Sequence, residues 1–261
     1  VVVVVLVAVA VTGGSSKATA TTPAPADVVQ ATTNVPPDKL AAVGLGPSSI
    51  QSLKTVTGNP AALTSNGLPE MLFMGAEYCP YCAAERWPMV VALSRFGTFS
   101  HLGATESSTS DVNPGTKTFS FYGSSYSSPY LVFTPVEMES NQPSGSGYAP
   151  LQKPTAAQQK LFQQYNAPPY TQAQNAGGIP FINFGNRYLV VNGSSYDPQI
   201  LQGHSMSAIA GSLSDPSNPI AQNILGTANI LTAAICGMTN NQPGQVCNTP
   251  TISSAKGKLN G

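Results

Sequence analysis

The sequence predicts an α/β fold, and three observations carry that prediction. A short apolar run, Met71–Met74, hands over through Gly75–Tyr78 to a segment with apolar residues at helical spacing: Trp87, Val90, Val91 and Leu93. Far downstream, two apolar runs flank Gly185-Asn186, the pattern of an antiparallel β-hairpin. After it, Ser205–Leu213 and Pro219–Ile235 read as helices separated by the break Asp215-Pro-Ser-Asn-Pro219. With 41% hydrophobic residues the chain is not wholly disordered, although charged residues make up only 8% against roughly 25% in ordinary soluble domains. Eleven basic residues are matched by eleven acidic ones, so there is no basic surplus to bind phosphate and nucleic acid is excluded as a partner.

The chain opens on the unbroken apolar run Val1–Val11. This is about half of the roughly 20 residues that span a bilayer, and no initiator Met precedes it. Residues 1–11 therefore read as a truncated transmembrane or signal-anchor segment, with a signal-peptide core or a buried strand as alternatives. Residues 12–37 are rich in Thr, Ala, Pro, Gly and Ser and read as a flexible spacer that buries too little apolar surface to order itself. The expected organisation is a single-pass anchor in the cell membrane, the spacer, a domain over 38–250 on the extracytoplasmic side, and a flexible tail over 251–261.

The informative segment is Glu77-Tyr78-Cys79-Pro80-Tyr81-Cys82. Cys79 falls where a strand gives way to a helix N-terminus, and Pro80 suits the first turn because its missing N–H has no partner there anyway. Unpaired N–H groups and the positive end of the helix dipole lower the pKa of a thiol so placed. Cys79 is thus the expected nucleophile. Cys82, one turn further on the same face, is the expected resolving thiol. Half of a zinc site is the competing reading, but it needs two more ligands. Cys236 and Cys247 lack knuckle spacing, and His101 and His204 stand alone, so no metal is expected. A structural disulfide between Cys79 and Cys82 also competes, although so small a ring is strained and stabilises little. Disulfide exchange itself calls for no cofactor.

Gly178-Ile179-Pro180-Phe181 opens the hairpin, and a proline at that point suits an edge or a cis bond. A strand, Cys-x-x-Cys, a helix, and later Gly-Ile-Pro at a hairpin together resemble the thioredoxin-like superfamily, which implies a central mixed sheet flanked by helices. Ala76-Glu-Tyr-Cys79 is similar to the thioredoxin lead-in, with Tyr78 in place of Trp, and Cys-Pro80-Tyr81-Cys is the glutaredoxin dipeptide. The wider pattern, with Ala83-Ala-Glu-Arg-Trp87 and Leu93-Ser-Arg-Phe-Gly97, resembles the membrane-tethered prokaryotic domain-of-unknown-function family 929. The resemblance implies that Pro180 is a cis-proline beside the cysteine pair and that the backbone of Ile179 hydrogen-bonds an extended substrate segment. It fails at Phe73, where thioredoxin has a buried Asp that takes the resolving thiol's proton. Glu85 is the nearby candidate for that role, or else a neighbour of Arg86 on a solvated helix face.

From Cys82 to Pro180 the chain is roughly twice as long as a plain thioredoxin core requires, so an insertion is expected at about 100–175. Within it, Thr116–Glu139 suggests two strands, one of them the core strand after the active-site helix, and Thr155 begins a capped helix. This insertion is expected over or beside the site. Cys236 and Cys247 read as a structural disulfide pinning the C-terminus in an oxidising compartment, with electron shuttling to Cys79/Cys82 as the alternative. The expected function is a membrane-anchored thiol–disulfide oxidoreductase acting on extracytoplasmic protein thiols and disulfides, of open direction, with a membrane redox partner. The alternative is a non-catalytic surface binding module on the same scaffold.

Overall fold

The computed structural model describes residues 20–47, 53–191 and 193–259, so the apolar run at 1–11 and the first part of the spacer lie outside the described residues. The chain begins with β1 (Thr22–Pro23), α1 (Ala26–Thr33) and α2 (Pro37–Val43), then β2 (Leu53–Thr55), β3 (Thr64–Ser65), β4 (Leu68–Gly75) and α3 (Pro80–Leu93). Next come β5 (Thr98–Ser100), β6 (Gly103–Glu106), β7 (Lys117–Ser120), β8 (Ser125–Ser127), β9 (Val132–Glu137), β10 (Glu139–Ser144), β11 (Gly147–Pro150) and α4 (Ala156–Tyr165). The hairpin β12 (Phe181–Phe184) and β13 (Tyr188–Val190) precedes α5 (Met206–Ser212), α6 (Pro219–Met238), α7 (Gly244–Cys247) and α8 (Pro250–Leu259).

Among the described residues the main sheet has six strands in the order β2-β13-β12-β4-β3, with β9 also on β4. It is mixed: β4 pairs antiparallel with β12 and parallel with β9. Alternation along β4 explains its unbroken apolar run. Met71 and Phe73 face one core with α3 and α6, while Leu72 and Met74 face the other with Phe162 and Tyr165 of α4. The hairpin turn runs from Phe184 O to Arg187 N, with Gly185 and Asn186 both at positive φ, as the Gly-Asn pair predicts. The strand expected after the active-site helix is β9, and the expected cap on α4 is a full capping box between Thr155 and Gln158.

Three expectations need correction. From Ala20 on, the segment read as spacer is ordered. Its β1 pairs with β6, α1 packs on α3 and α5, and α2 packs on α6. Composition misled because few apolar residues suffice when they share a face: Val28 and Thr32 are one helical turn apart and both buried, and Leu40 is buried beyond them. The tail at 251–261 is not flexible through Leu259. It forms α8, whose Ile252, Ala255 and Leu259 at i, i+3 and i+7 pack into the main core. The insertion expected at about 100–175 as a cap is interrupted by the main sheet, because β9 within it pairs with β4, while β6 and β7 join β1, β5 pairs with β8 and β10 with β11. Among the described residues one helix, α6, is long and apolar enough by length and composition to cross a membrane. Here it is packed in the core against α3, α8 and α2.

Candidate functional site

Cys79 is the N-cap residue of α3, in extended backbone, with Pro80 following in the first turn. Its sulfur accepts the backbone N–H of Cys82 at 3.3 Å, so one of the helix's unpaired donors is spent on the thiol. The same sulfur lies 3.7 Å from the carbonyl oxygen of Ile179, to which its S–H can donate. The Ile179–Pro180 peptide is cis. Residues a hundred positions apart are thereby brought together: Cys79, Ile179 and Pro180 meet at the helix terminus because β12, which Pro180 precedes, is hydrogen-bonded to β4.

The two thiols are held in different states. The hydrogen bond from Cys82 lowers the pKa of Cys79 against the opposing effect of burial, helped by the Cys82 N–H and by the Arg86 charge. Burial drives the pKa of Cys82 well up, and its hydrogen bond to Cys79 adds to the rise. Cys79 is 5% exposed and Cys82 is fully enclosed. A shallow cleft of about 310 Å³ opens beside the pair, lined by Tyr81, Asn175, Gly178, Ile179 and Gly193. Tyr81 is exposed, and a side chain at Gly193 would stand 3.5 Å from its ring. Tyr78 stacks on Tyr148 of β11 with centroids 4.3 Å apart, so the β10-β11 hairpin lies beside the motif. Burial, then Glu139, raises the Tyr78 phenol to about 12.

Glu85 is not on a solvated face. It is fully buried, and its carboxylate accepts the Ser195 N–H at 2.8 Å and the Ser195 hydroxyl at 3.0 Å. Nearby, Pro88 removes the N–H that Ala84 O would receive within the helix, and the Tyr196 hydroxyl supplies that bond at 2.7 Å. Glu85 and Tyr196 thus tie the loop behind Gly193 to α3. Burial raises the Glu85 pKa to about 7 from 4.5. The raised value means that its stabilising contribution is complete below about pH 4.5 and is lost as pH climbs through 7. Glu85→Gln, which can make both Ser195 bonds, is therefore expected to flatten the loss of stability between about pH 4.5 and 7, at most roughly 1.4 kcal/mol per pH unit in that window. Urea unfolding at several pH values measures it, and an unchanged pH slope would refute the assignment.

Sequence reasoning missed the charges beneath the pair. Arg86, fully buried, donates from Nε to Glu137 Oε1 at 2.8 Å and from Nη2 to Glu137 Oε2 at 2.6 Å and Ala76 O at 2.8 Å. Glu77 is also buried, taking hydroxyl donors from Thr21 at 2.8 Å and Ser120 at 2.5 Å. The available signal was spacing: Arg86 is four residues past Cys82 and so on its face of the helix. His101 and His204 are both exposed.

A family model described as a domain of unknown function, DUF929, matches residues 54–237. The chain belongs to that family. No curated protein and no solved structure matches the chain. The DUF929 match contains Cys79, Cys82, Glu85, Arg86, Glu137 and Pro180, so everything that converges at the helix terminus lies inside it except Thr21. It ends between Cys236 and Cys247, which are joined in a disulfide.

Proposed function

We propose that this DUF929 protein is a thiol–disulfide oxidoreductase on a thioredoxin-like scaffold, acting on protein thiols and disulfides. The observation that carries the reading is Cys79 at the α3 N-terminus, its sulfur receiving the Cys82 N–H and resting against the Ile179 carbonyl before cis-Pro180. In the reducing direction the Cys79 thiolate attacks one sulfur of a client disulfide, forms a mixed disulfide and expels the other client sulfur as a thiolate. That thiolate takes the Cys82 proton. Cys82 then attacks Cys79, closing the Cys79–Cys82 disulfide and releasing the second client sulfur, which is protonated from solvent to the thiol. Two electrons pass to the client, and the oxidising direction is the reverse.

Ile179 and Pro180 position the client segment, and Tyr81 with Gly193 walls the cleft that receives it. The apolar run at 1–11 is read as an anchor that holds the domain on the extracytoplasmic side of the cell membrane. The Cys236–Cys247 disulfide, a bond that persists in oxidising compartments, supports that side. A membrane redox partner would return the pair to its working state.

The test is the equilibrium potential of Cys79/Cys82, by thiol trapping across glutathione ratios. A value near about −120 mV makes the protein a dithiol oxidase, and one near about −270 mV makes it a reductase. The low exposure of Cys79 favours the second reading, a non-catalytic binding module. A pair still oxidised below about −300 mV would establish that reading instead.

A further inference from the structure

Cys82 poses a chemical problem for any exchange reaction at this site. It must become a thiolate to attack Cys79, yet it is fully enclosed and burial opposes its charge. Thioredoxin's buried Asp is absent, Phe73 stands in its place, and Glu85 is committed to Ser195. The side chains that surround the Cys82 sulfur are therefore decisive.

Gly75 abuts that sulfur: a side-chain carbon there would lie 3.2 Å from Cys82 Sγ and 2.4 Å from the Phe73 ring. The next residue, Ala76, offers its carbonyl to Arg86 Nη2, and Gly75 itself is the register partner of Glu137 on β9. The Arg86 guanidinium carbon lies 5.7 Å from the centre of the same Phe73 ring. Cys82, Gly75, Ala76, Phe73, Arg86 and Glu137 thus form one buried cluster. Glu137 fixes the fork on two nitrogens, and Nη1 is buried with no hydrogen-bond partner among the described residues. A buried donor left unmatched is costly in an otherwise satisfied network. Here it leaves one guanidinium nitrogen without a partner one helical turn from the resolving thiol, while Glu137 and Glu77 are the carboxylates whose charge acts on Arg86.

We propose that Arg86, clamped by Glu137, is the positioning residue that tunes the cysteine pair, holding a buried cation beneath it that stabilises thiolate at Cys79 and, during resolution, at Cys82. The proposal rests on the oxidoreductase reading, because tuning matters only if the pair exchanges. The Arg86 charge acts on both thiols in the direction of easier ionisation. Glu137 keeps the cation from relaxing toward water, and Ala76 ties its position to the strand that carries the motif. The arrangement replaces a proton-accepting acid with a fixed charge. Cys82 ionises by passing its proton to the departing client thiolate, and the cation holds the charge left behind.

The experiment titrates Cys79 in the full chain after selective reduction, from the pH dependence of its alkylation by iodoacetamide, with disulfide exchange on a model protein disulfide followed in parallel. Removing Arg86 alone would strand Glu137, so the neutral pair Arg86→Met/Glu137→Gln is used, the Gln still able to accept the Phe121 N–H now given to Glu137. Its alkylation midpoint is expected to rise by about one pH unit, and resolution of the mixed disulfide to slow about tenfold. Arg86→Lys, which keeps the charge, returns the midpoint toward the wild-type value. Should the first pair fail to fold, Arg86→Gln/Glu137→Gln carries the same expectation. A folded neutral pair with an unmoved midpoint overturns the proposal, as does a Lys variant shifted as far as the neutral one. A wild-type chain whose Cys79 titrates as described but exchanges no disulfide overturns the oxidoreductase reading instead.

Discussion

Replacing Cys79 with serine is expected to reduce disulfide exchange to the uncatalysed background, and replacing Cys82 with serine is expected to leave clients covalently attached. The asymmetry follows from the geometry. The Cys79 sulfur rests against the carbonyl of Ile179, a residue that lines the cleft, and of the two thiols only that of Cys79 is made more acidic by its surroundings. A serine hydroxyl there is not ionised at neutral pH and cannot open a disulfide. In Cys82→Ser the backbone N–H of residue 82 still reaches Cys79, so attack proceeds and the mixed disulfide forms. Nothing can then expel the client, because the group one turn along the helix is no longer a thiol. Non-reducing gels of Cys82→Ser mixed with extracytoplasmic proteins should show thiol-sensitive adducts that Cys79→Ser lacks. Full exchange by Cys79→Ser would end the catalytic reading. Fast alkylation of Cys79 without adducts in Cys82→Ser would point to the binding module.

The parts of this site that were legible in the sequence are those written locally. Cys79, Pro80 and Cys82 announce a helix N-terminus by their spacing, and Gly185-Asn186 announces the hairpin that delivers Ile179 and Pro180. Glu85 and Arg86 were not legible, although they sit in the same helix. Their environment is set by Ser195 and Glu137, 110 and 51 residues away, so one sequence window cannot distinguish a buried carboxylate from a solvated one. The segment from Ala20 to Pro37 failed for a related reason. Its composition is that of a spacer, but tertiary contacts decide whether a few apolar side chains find a core. Val28 does, under α3 and α5, and Thr21 reaches the buried Glu77 two residues before Cys79. The order of the N-terminal segment is thus coupled to the site it precedes.

Cys236→Ser is expected to cost about 3 kcal/mol of stability and leave exchange by the folded protein unchanged. The disulfide closes a loop of sequence separation 11 between the end of α6 and α7. Losing it frees the unfolded chain, the chief origin of the stabilisation in the chain-entropy account. In the folded state both sulfurs are completely buried, and the bond ties α6 to the turn from which α8 packs back on it. Lys256 reinforces this closure, donating to Cys247 O at 2.9 Å and Asn241 Oδ1 at 2.8 Å. For a chain of this size the loss corresponds to a melting temperature lower by about 6–12 °C. Dithiothreitol should lower the wild-type midpoint by the same amount and barely move that of Cys236→Ser, because Cys79 and Cys82 are free thiols in the structure. A fall of less than about 2 °C would show that helix packing alone holds the C-terminus. Turnover lost in folded Cys236→Ser would instead assign the buried disulfide to electron transfer with Cys79 and Cys82.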